Sequence, residues 1–88
     1  MYQVVKRDGK TANFNIAKIT SAITKAFEAQ DKEYNPDIID LLALKVTSDY
    51  SAKVQEGRVT VEDIQDSVES VLQNTGYADV AKAYILYR

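Results

Sequence analysis

The sequence predicts one α+β domain over residues 1–88, in which a two- or three-stranded antiparallel sheet, built on a small β-hairpin, caps a four-helix cluster. Three observations carry that prediction. Asp8-Gly9 lies between two apolar-alternating stretches, a strong short-range hairpin signal. Four later segments repeat apolar residues at helical spacing, and start or stop signals bound them. An 88-residue chain that is 45% apolar and 27% charged has the make-up of a single domain with a modest core.

The hairpin comes first. With Asp8-Gly9 as a two-residue type I′ loop, Arg7 faces Lys10, Lys6 faces Thr11 and Val5 faces Ala12. The return strand ends at Phe14, and Asn15 is a good N-cap. A helix then runs from Ile16 to about Ala29, with Ile16, Ile19, Ile23, Ala26 and Phe27 on one stripe. Gln30 to Tyr34 is a polar connection. Asn35-Pro36-Asp37 supplies an N-cap, a proline at N1 and a first-turn acid. The second stripe is Ile39, Leu42, Ala43, Val46, Tyr50 and Val54, and Gly57 is placed to be the C′ residue that ends the helix. Arg58-Val59 suits a short strand beside the hairpin. Thr60 with Asp63 resembles a capping box and opens a third helix burying Ile64, Val68, Val71 and Leu72, which stops at Gly76. A fourth helix from about Ala78 buries Val80, Ala81, Tyr84 and Ile85. Helices of this length and a lone hairpin are each marginal in water, so the strands must lie on the helices.

The departure from these rules is electrostatic. Lys6, Arg7, Lys10 and Lys18 crowd the hairpin–helix junction, with Asp8 the one acid among them. Lys18 falls at N3, where Glu or Asp is the usual choice. A helix N-terminus already carries partial positive charge and unpaired N–H groups, so added cations suit an arriving anion such as phosphate. The net charge of −2 hides this asymmetry: the first 27 residues hold Lys6, Arg7, Lys10, Lys18 and Lys25 against Asp8, and the remainder is acidic. A localised anion fits that layout. A long nucleic-acid duplex does not, because it wants basic charge spread over many phosphates.

Several classes are excluded. No apolar run approaches membrane-spanning length and no secretory signal is visible, so a cytoplasmic location away from membranes is expected. Without cysteine there is no disulfide, thiolate nucleophile or thiolate metal site, and without histidine the commonest base and metal ligand are missing. No P-loop and no kinase glycine-rich loop occurs, so a nucleotide is expected to bind without turnover.

The pattern Val4-x-Lys6-Arg7-Asp8-Gly9, then Phe14-Asn15-x-x-Lys18-Ile19, resembles the opening of the ATP-cone domain, the regulatory module at the N-terminus of many ribonucleotide reductases. The resemblance continues through Val61 to Glu69 and closes at Val80 to Arg88, in order and over essentially the whole chain. The wording of the segments looks most like the anaerobic, glycyl-radical (class III) ribonucleoside-triphosphate reductases. The resemblance implies an ATP-cone-like fold: a small sheet lidding a helical bundle, with the nucleotide between them. It implies ATP or dATP as an allosteric ligand, with Mg2+ as an accompanying ion left open. Val4 and Ile19 would flank the base; Lys6, Arg7 and Lys18 would serve the phosphates; Asn15 belongs to the same motif. Thr60 and Gln65 begin the third helix, which in the family borders the nucleotide. The implied partners are the reductase's catalytic domain in cis and other cones in a homo-oligomer. Two departures stand out: Ala12 replaces a side chain often polar or acidic in related cones, and the family's last helix continues into basic residues past the position of Arg88.

Plainer readings stand beside these. Lys6 and Arg7 also serve as strand-edge charges that discourage aggregation. Lys18 can lie along the helix surface, and Val4 and Ile19 are suited to the core. Asp66 and Glu69 suit a solvated helix face, and Tyr84 with Tyr87 could form a subunit contact. Two other functions fit the sequence. One is the cone of a transcriptional repressor of reductase genes, a family with a zinc ribbon ahead of its cone that this cysteine-free sequence lacks. The other is a helical protein-interaction module without a ligand.

Overall fold

A computed structural model describes residues 2–88. Strands β1 (Gln3–Val5) and β2 (Thr11–Asn13) form the hairpin, followed by α1 (Ile16–Ala29) and α2 (Pro36–Tyr50). A single 3-10 turn, Ser51–Lys53, leads to β3 (Arg58–Thr60), and α3 (Val61–Asn74) and α4 (Ala78–Tyr87) complete the chain. The four helices pack α1 on α2, α2 on α3, α3 on α4 and α4 on α1. The sheet lies on them in the order β2-β1-β3.

The helix starts follow local chemistry. Asn15 Oδ1 accepts from Ala17 N at 2.9 Å, Asn35 Oδ1 from Ile38 N at 2.9 Å, and Thr60 Oγ1 from Asp63 N at 3.1 Å. Each satisfies one of the orphan donors of a helix N-terminus. The core is one cluster, with Ile23, Phe27, Val46, Tyr50, Val68, Leu72 and Val80 almost wholly enclosed. Tyr2, Phe14 and Tyr50 stack with ring centroids 4.8, 5.9 and 6.0 Å apart, and the Tyr2 and Tyr50 hydroxyls bond to each other. That aromatic group fastens the sheet to α2.

Several local expectations change. The hairpin loop has three residues, with Gly9 N donating to Lys6 O at 2.9 Å and Lys6 N to Lys10 O at 2.7 Å. Type I′ needs positive φ at both central residues, but here Gly9 has φ of 84° and Asp8 is not in that region. Asp8 instead caps the turn, its Oδ1 accepting from Lys10 N at 3.0 Å. The register therefore shifts by one: Val4 faces Ala12 and Val5 faces Thr11. A one-residue shift exchanges the faces of a strand. Arg7 no longer opposes Lys10 and stands at the start of the loop.

The two-residue turn occurs later. Gln55 N donates to Arg58 O at 2.8 Å and Arg58 N to Gln55 O at 2.9 Å, with φ of 51° at Glu56 and 74° at Gly57. Gly57 thus builds a hairpin-type turn and does not end α2, which stops at Tyr50, so Val54 lies beyond the helix. This turn aims β3 along β1 in parallel, pairing Val4 with Val59 and Val5 with Thr60. The sheet is therefore mixed and not antiparallel throughout as expected, because α1 and α2 form the long crossover that a parallel pair requires.

On α4 the buried residues are Val80, Ala81, Ala83 and Tyr84, while Ile85 is 45% exposed. The helix lies against both α1 and α3, and its buried arc is set by those two neighbours. Tyr84 faces inward and cannot join a subunit contact; Tyr87 is exposed, with Lys25 Nζ 5.7 Å from its ring centre.

Candidate functional site

A cleft of about 190 Å³ opens between the sheet and the helices α1, α3 and α4. The hairpin supplies Val4, Lys6, Ala12 and Phe14 to its walls. Asn15, Lys18, Ile19 and Ala22 come from the start of α1, Val61, Ile64, Gln65 and Val68 from α3, and Tyr84 from α4. The register found for the hairpin puts Val4 and Ala12 opposite one another on this face. Helical spacing does the same for Asn15, Lys18, Ile19 and Ala22.

The cleft is apolar at depth and basic at the rim. Ile19, Ile64 and Val68 are buried in it, whereas Lys6, Asn15 and Lys18 are exposed. Neither Lys6 nor Lys18 forms an ion pair among the described residues, and the first turn of α1 carries no acid. Arg7 lies on the hairpin loop beside the cleft, where Nη2 donates to Gln65 Oε1 at 2.9 Å and Nε lies 3.6 Å from Glu62 Oε1.

Of the residues singled out from sequence, Val4, Lys6, Asn15, Lys18, Ile19 and Gln65 line this one cleft. Arg7 reaches it through Gln65. Thr60 is elsewhere: it caps α3 and lines a shallower hollow with Val5, Arg58 and Asp63. Alternation along β3 turns Val59 into the core and Thr60 away from it.

Sequence reasoning missed Ala22, Val61 and Tyr84 as cleft residues. The i, i+3, i+4 spacing from Lys18 could have identified Ala22, but nothing local marks Tyr84. Burial pushes the Tyr84 phenol up to about 12, while Arg88 and Arg7 oppose that shift and Glu69 and Asp66 add to it. Asp66 and Glu69 do not form an open acid pair: both are bonded to Arg88, whose Nη1 lies 3.4 Å from Asp66 Oδ1 and closer to Glu69 Oε1. Among the described residues no cluster of acids could hold a metal ion, and no helix is long and apolar enough to cross a membrane.

The arrangement can enclose a flat apolar group and hold an anionic tail outside it. At about 190 Å³ the cleft is smaller than the roughly 300–1,000 Å³ of a site that swallows a whole ligand. Only part of a larger ligand fits inside.

Comparison with known proteins gives the family. The family model described as the ATP cone domain matches residues 2–88. The chain is 42% identical over 91 residues to the ribonucleoside-diphosphate reductase subunit alpha of Chlamydia pneumoniae, which covers 97% of this chain and 9% of that protein. It is 43% identical over 91 residues to the vitamin B12-dependent ribonucleoside-diphosphate reductase of Thermoplasma acidophilum, covering 98% and 11%. It is 34% identical over 90 residues to the anaerobic ribonucleoside-triphosphate reductase of Haemophilus influenzae, covering 99% and 12%. The chain thus spans about a tenth of the length of these curated relatives, and they are of three kinds.

Proposed function

Because the chain belongs to the ATP cone domain family, we propose that it is an allosteric nucleotide sensor, taking ATP or dATP to set the overall activity of a ribonucleotide reductase that carries it. One observation carries this reading: two unpaired lysines and a capped helix start surround the rim of an apolar cleft. The base enters between Val4 and Ile19. Lys6, Arg7 and Lys18 hold the phosphates, helped by the first amides of α1. Asn15 fixes those amides, and Gln65 closes the far wall. Thr60 contributes by capping α3, which frames the cleft.

The energetics are sufficient. Each charge-assisted hydrogen bond is worth roughly 1.5–3 kcal/mol net, and micromolar affinity needs about 8 kcal/mol after the costs of association. A few phosphate contacts and one enclosed base reach that level. ATP and dATP differ by a single hydroxyl, so regulation requires that each favour a different conformational or oligomeric state of the whole reductase. The catalytic domain in cis and neighbouring cones are the partners that register the difference. The module suits each of the three kinds of reductase named among the relatives; the anaerobic triphosphate kind is the one its motif wording resembles.

Calorimetric titration of this chain with ATP tests the reading. Saturable binding is expected, and Lys6→Ala or Arg7→Ala should cost at least about 1 kcal/mol. A Lys6/Arg7/Lys18 triple alanine variant that binds as tightly as the parent would overturn the site.

A further inference from the structure

The sheet presents a free edge to the cleft. Asn13 is exposed and lines the cleft from β2, the outermost strand of the sheet. Successive side chains of a strand point to opposite faces. Ala12 lies on the cleft face opposite Val4, so the Asn13 side chain points away, and Asn13 meets the cleft through its main chain.

The ladder of hydrogen bonds fixes where that main chain points. Asn13 stands opposite Gln3, whose N–H donates at 2.8 Å to Gly57 O on the β3 side of β1. The bonds from β1 to β2 fall on the alternate residues, as in Lys6 N to Lys10 O at 2.7 Å. Gln3 and Asn13 are therefore a non-hydrogen-bonded pair, and the N–H and C=O of Asn13 both turn outward from β1. No described residue bonds to either group. One residue thus holds out a donor and an acceptor side by side at the cleft wall. Val4, Ala12, Ile19, Ala22, Ile64 and Val68, around the same space, have apolar side chains with no hydrogen bond to offer a ring.

From this geometry we propose that the main chain of Asn13 reads the edge of the bound base, an inference that rests on the nucleotide reading above. Its N–H donates to a ring nitrogen of adenine, and its C=O accepts from the exocyclic amine. Guanine and hypoxanthine put a carbonyl where adenine has that amine. Either would set two acceptors against each other. Adenine is selected without the use of any side chain.

This chain is titrated by calorimetry with ATP, GTP, ITP and inorganic tripolyphosphate. ATP should bind about tenfold or more tighter than GTP and ITP. Asn13→Ala keeps both main-chain groups and should bind all four as the parent does. Asn13→Pro removes the N–H, which an edge strand tolerates where that group is outside the ladder. It should lower ATP affinity toward that of GTP and leave tripolyphosphate binding and melting nearly unchanged. NMR supplies a readout on the parent alone: the Asn13 amide resonance should move with ATP and stay still with tripolyphosphate. Equal binding of ATP, GTP and ITP overturns the inference and leaves the nucleotide reading standing. So does an Asn13 amide that ATP does not move, or an Asn13→Ala variant that loses as much as Asn13→Pro. A parent that binds none of the nucleotides removes the nucleotide reading and this inference together.

Discussion

Arg7, on the hairpin loop, donates from Nη2 to Oε1 of Gln65 on α3, 2.9 Å away, and so bridges the mouth of the cleft. The Arg7 and Glu62 side chains are 58% and 61% exposed, and an ion pair in that setting contributes at most about 1 kcal/mol. A polyanionic ligand can take the guanidinium from its present partners at small cost. Arg7→Ala should therefore leave melting nearly unchanged while weakening ATP binding at least about fivefold. Glu62→Gln should strengthen binding, because it removes a carboxylate that competes with phosphate for the same guanidinium. Paired melting curves and titrations check both outcomes.

Lys18 stands at N3 of α1 with no acid in the first turn. The helix dipole disfavours a cation there. Lys18→Glu should stabilise the unliganded protein by about 1 kcal/mol, several degrees in melting temperature for a domain of this size. On the proposed function, the same change should weaken ATP binding more than tenfold by replacing the proposed phosphate partner with a repelling charge. Opposite signs in the two measurements would identify Lys18 as kept for a ligand and not for the fold.

Alkaline pH should destabilise the protein through two tyrosines. Burial first, and then the bond to Tyr2, push Tyr50 well above the ordinary phenol value of 10.0; burial pushes Tyr84 to about 12. The folded state thus keeps both protons where the unfolded chain releases them. Their contribution to stability is complete below about pH 10 and is lost as pH rises through the folded values. Denaturant melts from pH 8 to 11 should show a falling midpoint, and Tyr50→Phe or Tyr84→Phe should flatten the fall.

Ser67 Oγ is enclosed and unpartnered on the buried face of α3. Removing an unsatisfied hydroxyl and replacing serine by the best helix former both act in one direction. Ser67→Ala should raise stability by about 1 kcal/mol, read as an upward shift in melting temperature with no change in ATP affinity.

Features built from neighbouring residues were legible in the sequence. The capping asparagines at 15 and 35, Pro36 and Thr60 fix where α1, α2 and α3 begin, and the apolar spacings give their buried faces. Most of the cleft was legible for the same reason: Asn15, Lys18 and Ile19 share a helix turn, and Val4 and Lys6 lie two apart in the hairpin and line the same cleft. The hairpin register was not. Asp-Gly supports a two-residue or a three-residue loop, and the side-chain bond from Asp8 to Lys10 N decides between them. The Ile85 expectation failed similarly, because an apolar helix end offers more than one burial arc and α1 and α3 choose.

The sequence by itself determined the elements, their caps and a cluster of cations that its own helix chemistry cannot use, since each depends on residues within a turn or two of one another. Only the tertiary structure decided that β3 runs parallel to β1, that Arg7 crosses to Gln65, and that Tyr84 from the last helix lines one cleft with Lys6 from the end of the first strand. Those relations join residues far apart along the chain, and they follow from how the sheet and helices bury their apolar faces together.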